Sequence, residues 1–325
     1  MNPAHVSTRD VSARIARLFV HPVKSCAGVE VREALLTDTG LELDRAWMVV
    51  DAQGVFVTQR EQPRLALVRP HIKPHELVLS APGMQALHIA LDWVKPDVAL
   101  KGAVAVKQPV PVKQAVKAKL WDDEVPAFDM GDEAARWFTD FLAMSADANQ
   151  TSRPRTYRPR AYRLVRFDPA HRRASNLDWT GGVQALNLFS DGYPLLVLSE
   201  ASLAELNERL VAAGHASVGI ERFRPNIVLS GLHAHDEDRL SVMHVEAGAE
   251  EVLLKPVKPS PRCPIPNVDP LTATISSEVG DTLQSYRQDA RVEGAVTFGM
   301  NTIVLQGVGA TLQVGQTVTA DFDFG

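Results

Sequence analysis

"AWMVVDAQGVFVTQR", residues 46–60, holds two short runs of β-favouring residues around the turn DAQG, where Gly54 is free to take a positive φ. The same texture extends in both directions. IARLFVHPV (15–23), VEVREALLT (29–37), LALVRP (65–70) and HELVLS (75–80) are apolar runs cut by turn residues. Many short strands at close spacing predict a small barrel or sandwich. From 95 to 120 valine alternates with lysine, which reads as edge strands whose lysines discourage edge-to-edge pairing.

The texture changes after Trp121. In DMGDEAARWFTDFLAM (129–144), Ala134, Trp137, Phe138, Phe141 and Leu142 share one helical stripe, with Asp129 or Asp132 as capping candidates. A second helix is expected at SEASLAELNERLVAAG (199–214). Its signals are capping-box spacing at Ser202 and Glu205, a Leu203, Leu206, Leu210 stripe and Gly214 at the C-terminal cap. Strands return in NIVLSG (226–231), SVMHVEAG (241–248), EEVLLKPVKP (250–259), AVTFGMNTIVLQG (295–307) and ATLQVGQTVTADF (310–322). The fold class expected is mainly β with a few helices. It divides into a flexible arm at 1–13, an N-terminal domain at 14–120 and a second domain at 121–325.

A chain of 325 residues suits about two domains, and 45% hydrophobic with 22% charged residues is an ordinary globular composition. With 34 basic and 39 acidic residues the net charge is −5, so no global basic field points to nucleic acid or an anionic membrane. The two cysteines, Cys26 and Cys263, make neither a disulfide framework nor a CxxC zinc site. A reducing cytoplasm is the expected compartment, with no signal segment and no apolar run of membrane-spanning length.

SPRCPIPNVDP (260–270) fixes Cys263 between prolines and beside Arg262, which favours a thiolate able to act as a soft ligand or a nucleophile. A lone cysteine can equally be a small buried hydrophobe, and Cys26 is read that way. Lys24 and Ser25 bring a cation and a hydroxyl to a strand-to-loop junction. Arg45, Arg222, Arg224 and Asn226 are of the types that grip a phosphate or a heterocycle edge. From Arg153 to Arg173, eight arginines accompany one carboxylate, Asp168, with Tyr157 and Tyr162 between them. That run fits a nucleic-acid site less well than a docking surface for an acidic partner, a loop near an anionic cofactor, or a solvated loop. His71, His75, His233, His235 and His244 do not form a metal-ligand pattern, and no Walker, Rossmann, nucleophile-elbow or HExxH motif occurs.

Taken together, IARLFVHPVKSCAGVEV through QPRLALV resembles the N-terminal β-barrel domain that precedes MOSC domains. SDGYPLLVLSEASLAELNERL, RFRPNIVLSG, RCPIPNVDPLTA, SYRQ and FGMN resemble the MOSC domain itself. The chain is similar over about residues 14–320 to the molybdenum-cofactor-dependent amidoxime and hydroxylamine reductases. The resemblance implies a β-barrel MOSC domain packed on an N-terminal β-barrel-like domain, with molybdopterin between them and Cys263 as the protein ligand to molybdenum. It implies that Lys24, Ser25, Arg45, Arg224 and Asn226 hold the cofactor's phosphate and pterin. Asp191, Gly192, Tyr193 and Arg262 then lie near it, and Asp269 shapes the cysteine loop or serves the substrate pocket. Two departures bear on the metal's surroundings: Pro261 stands where some relatives have serine, and Leu271–Ala273 (LTA) stands where they have DTG.

The activity implied is reduction of N-hydroxylated compounds (hydroxylamines, amidoximes, N-hydroxylated bases) by oxygen-atom removal, a detoxifying reaction. Separate flavin, cytochrome b5-like or ferredoxin-like redox partners would restore the electrons, without nucleic acid or membrane. At family level the resemblance also brings an attribution of pyridoxal phosphate binding. The alternative is a carrier of molybdenum cofactor, or of a persulfide on Cys263, that turns over no substrate.

Overall fold

The computed structural model describes residues 9–91, 114–144, 160–248 and 250–324. Seven strands close into a barrel in the order Leu195–Ser199, Ile227–Ser230, Val11–Val20, Thr317–Ala320, Met243–Ala247, Glu250–Pro261 and Ala295–Gln306. The last pairs back onto the first. Every barrel pair is antiparallel except Leu195–Ser199 with Ile227–Ser230. The alternation predicted for half-buried strands is visible in Val11, Ala13 and Ile15, which point inward with exposed residues between them. Ile15, Leu18, Val197, Leu229, Leu254 and Val318 meet in the barrel core.

The second body is built on a four-stranded sheet ordered Trp47–Asp51, Tyr162–Phe167, Asp123–Asp129 and Gln114–Leu120. Both of its faces are covered, which is why WMVV is apolar without alternation. Trp47 and Val49 pack with Trp137, Phe138 and Phe141 of the Asp132–Ala143 helix, while Met48 and Val50 pack with Phe167 and Phe189 on the other face. A three-stranded sheet, Arg69–Ile72, Glu76–Ser80 and Leu87–Ala90, extends the first of these cores. The helices Glu200–Ala212 and Glu278–Gln284 cover the outside of the barrel through Leu206, Leu210, Val279 and Leu283.

The two bodies do not follow sequence order. The opening strand Val11–Val20 closes the barrel of the C-terminal half, so residues 11–13 belong to a strand and not to an arm. Trp121, where the sequence placed the domain change, is the turn of a hairpin whose arms pair over seven positions. Strand pairing across that point overrides the shift in composition.

Other local readings are adjusted. DAQG turns as expected, with Gly54 at φ 77 and Asp51 accepting from Gln53 N and Val55 N, but the return arm makes single bridges and not a strand. The first helix starts from Gly131 without a side-chain cap, because Asp129 is engaged by Arg163 and by Gly131 N. The second starts three residues before the expected box: Ser199 caps, and Ser202 is buried, donating to Glu237 at 2.6 Å. Gly214 takes φ 82 just past that helix, as its position predicted. Residues 65–67 form a 3-10 turn and not a strand, and of the valine–lysine stretch Gln114–Leu120 is a strand while 95–113 lies outside the described residues. No helix among the described residues is long and apolar enough to cross a membrane.

Candidate cofactor site

Between the two bodies lies a cavity of about 730 Å³. Four of its residues, Ser25, Arg45, Trp121 and Arg224, have φ of 66°, 49°, 55° and 58°, a left-handed conformation that costs a non-glycine residue roughly 1–3 kcal/mol. Packing holds them there. Beyond the Val11–Val20 strand, Lys24 N donates to Trp47 O and Arg45 N to His21 O, so the two loops brace each other. The His21 ring donates from Nε2 to Pro225 O at 3.0 Å, tying the Arg224 turn to the same place.

The wall is strongly basic. Lys24, Arg45, Arg60 and Arg173 line it from one side of the sequence, and Arg222, Arg224, Lys258 and Arg262 from the other; the acidic lining residues are Asp122, Asp123 and Asp191. Eight cations against three anions is a local excess opposite in sign to the whole chain. Burial lowers the pKa of Lys24 although Asp191 Oδ1 lies 2.5 Å from its Nζ. Burial likewise lowers the Arg224 and Arg262 guanidinium groups to about 10. Desolvation within the cleft would raise Asp191, but its side chain is 72% exposed, and Lys24, Arg45 and Arg60 hold the carboxyl at about 2. For Asp44 the balance is reversed: burial pushes its carboxyl up despite the Arg45 contact at 2.5 Å.

Arg224 donates from Nη1 to Cys26 O, and its Nη2 is buried with no hydrogen-bond partner among the described residues. Arg262 holds Phe298 O at 2.9 Å through Nε and Phe223 O at 3.2 Å through Nη1, fixing the end of the Glu250–Pro261 strand. The chain then turns outward, and Cys263 presents an exposed thiol at the cavity edge.

The MOSC N-terminal beta barrel domain family matches residues 12–145, and the MOSC domain family residues 185–319. Mitochondrial amidoxime reducing component 2 of Rattus norvegicus is 34% identical over 282 residues, covering 84% of this chain and 72% of the relative. Mitochondrial amidoxime-reducing component 1 of Homo sapiens is 34% identical over 316 residues, covering 94% and 82%. The chain belongs to the MOSC family of the amidoxime-reducing components. A crystal structure of the YUAD protein of Bacillus subtilis aligns with 97% of this chain and 98% of its own at 11% identity, with a TM-score of 0.38, too low to add to this.

Of the residues expected in this MOSC site, Lys24, Ser25, Arg45, Asp191, Gly192, Tyr193, Arg224, Asn226, Arg262 and Cys263 all line the one cavity. Asn226 is there as a brace. Its Oδ1 accepts from Leu196 N and Arg45 Nη1 and its Nδ2 donates to Phe19 O, which leaves the amide little to offer a heterocycle. Asp269 is not a lining residue. Its Oδ1 accepts from Leu271 N and Thr272 N and its Oδ2 from Arg222, so it shapes the cysteine loop. In that loop Ala273 takes φ 59, a left-handed conformation that favours glycine. Cys26 is fully buried, and burial pushes its thiol up to about 12, as the structural reading required.

The arginine run does not act as one surface among the described residues; Arg153, Arg155, Arg158 and Tyr157 lie outside them. Arg163 pairs with Asp129 and Asp132, and Arg166 donates to Leu91 O over the Trp47 ring. Arg173 is buried in the cavity wall, where it holds Asp123, Asn187, Leu188 O and Ser190 O and thereby the Ser190–Tyr193 loop. Its membership of the site could have been suspected from the cofactor-loop reading of the run. Arg60, Trp121 and Lys258 carry no sequence signal that separates them from solvated surface. No group of three or more His, Cys, Asp or Glu able to hold a metal occurs among the described residues; the sulfur exposed on the cavity wall is that of Cys263.

Proposed function

We propose that the chain is a reductase of N-hydroxylated compounds that works with a molybdenum–pterin cofactor held in this cavity. The observation that carries the reading is the pairing, on one cavity wall, of an exposed Cys263 thiol with eight basic side chains, one of which keeps a buried N–H without a partner among the described residues. A thiolate suits a soft metal, and cations whose charge burial disfavours are relieved by a bound phosphate. The donor set therefore fits the group that the family implies, and the amidoxime-reducing relatives support the same reaction class.

Cys263 would ligate the metal, with Arg262 and the flanking prolines holding its loop. Lys24, Arg224 and Arg45 would hold the phosphate and pterin, with Asn226 fixing Arg45 and Arg173 fixing the Ser190–Tyr193 loop. When bound, the cofactor supplies the two electrons that cleave the N–O bond. The net reaction is R–NHOH + 2 e⁻ + 2 H⁺ → R–NH₂ + H₂O, with electrons from a separate flavin, cytochrome b5-like or ferredoxin-like protein and protons from solvent. The chain's own work is orientation and charge compensation.

The test is Cys263→Ala, purified from a cofactor-competent host and assayed with hydroxylamine and an amidoxime. Turnover at the wild-type rate would remove Cys263 from the chemistry. Wild-type protein that binds cofactor and releases it to an acceptor, yet reduces neither compound, would be a carrier.

A further inference from the structure

Trp121 is a bulky residue where the backbone asks for glycine. It occupies the tight turn between Gln114–Leu120 and Asp123–Asp129 with φ 55, a conformation that a β-carbon disfavours and that a hairpin turn normally assigns to Gly or Asn. Its indole is 41% exposed and lines the cavity. Two neighbours hold it in that pose. The Phe56 ring packs at 4.8 Å with a tilt of 59°, and the Arg60 guanidinium lies over the indole at 4.7 Å. Arg60 is itself fixed by Nε donating to Thr58 Oγ1 at 3.1 Å. The assembly adjoins the basic wall, since Lys24 Nζ is 5.8 Å from the same Phe56 ring.

A strained, partly exposed aromatic braced from below and aimed into a cavity is a surface prepared for a flat ligand. An indole and a guanidinium both stack on planar π systems, and neither distinguishes hydrogen-bond patterns. We propose that Trp121, with Arg60 laid against it, is the platform that selects planar N-hydroxylated substrates, aromatic amidoximes and N-hydroxylated bases, over compounds with no π face. The proposal rests on the reductase reading and names the substrate class for it. The cysteine loop and the Arg224 turn sit on the barrel body, and the platform stands on the sheet body beside the Lys24 and Arg45 turns.

The experiment compares wild type, Trp121→Phe and Trp121→Ala, all purified with cofactor. Steady-state reduction is measured with benzamidoxime and with hydroxylamine, molybdenum per chain is determined, and quenching of tryptophan emission by benzamidoxime is recorded without reductant. Loss of one stacking partner should raise KM for benzamidoxime about ten-fold in Trp121→Ala and change that for hydroxylamine by under about two-fold, with molybdenum content retained. Trp121→Phe should recover most of the benzamidoxime KM, and saturable quenching should be confined to chains that keep Trp121. Equal KM changes for both substrates, or loss of molybdenum with Trp121→Ala, would overturn the platform. Quenching by benzamidoxime that depends on Trp121 in a wild-type protein that reduces neither substrate would sink the reductase reading and leave the platform standing. Should Trp121→Ala fold poorly, Trp121→Gly, which suits the positive φ, takes its place.

Discussion

Arg45 Nη1 donates to Asn226 Oδ1 at 3.1 Å across 181 positions of sequence. The contact joins the turn that enters the Trp47–Asp51 strand to the turn that enters the Ile227–Ser230 strand, and it makes a cavity cation depend on a buried amide. Asn226→Ala should leave Leu196 N and Phe19 O unpartnered and release Arg45, at about 3 kcal/mol of stability. Urea denaturation measures that loss, and an unchanged midpoint would show that Asn226 is no brace.

The Lys24–Asp191 pair gives a pH signature. Asp191 is held at about 2, below the ordinary carboxyl value of 3.8, chiefly by Lys24, whose Nζ lies 2.5 Å from Oδ1. A depressed carboxyl contributes stability that is full above the unfolded value and is lost as pH falls through the folded one. Wild type should therefore lose stability relative to Asp191→Asn between about pH 4 and pH 2. Parallel acid-denaturation curves for the two proteins would contradict the pairing.

The two thiols should differ in reactivity. Cys26 is buried with its thiol pushed up to about 12, whereas Cys263 is exposed. Iodoacetamide at pH 8 should label one thiol per native chain, none in Cys263→Ala, and two in denatured wild type.

Gly28 is packed against the ring that ties the Arg224 turn in place. A β-carbon there would come within 2.6 Å of His21 Cε1, and His21 is buried. Gly28→Ala should cost about 1–3 kcal/mol by thermal or urea unfolding, with weaker binding of inorganic phosphate as the turn shifts.

How much was legible follows from where the signals lie. Cys263, Lys24, Arg45 and Arg224 stood out because turn residues, prolines and strand junctions isolate them in sequence, and they do meet in one cavity. The strands were readable from short apolar runs, but closure of a barrel by Val11–Val20 was not, since pairing between residues about 300 positions apart leaves no local pattern. Ser199 and Ser202 both suit a helix start. Only the buried Glu237, which accepts from Ser199 N and Ser202 Oγ, decides between them. For Asp269 the resemblance left loop shaping and the substrate pocket open, and the two backbone N–H groups and Arg222 on its oxygens, contacts that no local pattern announces, favour the first. Trp121 was invisible as a site residue because its exposure and its φ are properties of a turn and not of composition.

The most direct measurement is the molybdenum and pterin content of the protein purified from a cofactor-competent host, taken with its reduction of an amidoxime by a small-molecule reductant. The reading predicts close to one molybdenum and one pterin per chain, turnover in wild type, and loss of turnover in Cys263→Ala. Wild-type protein that carries neither molybdenum nor pterin, or that carries both and turns over no N-hydroxylated compound, would contradict it.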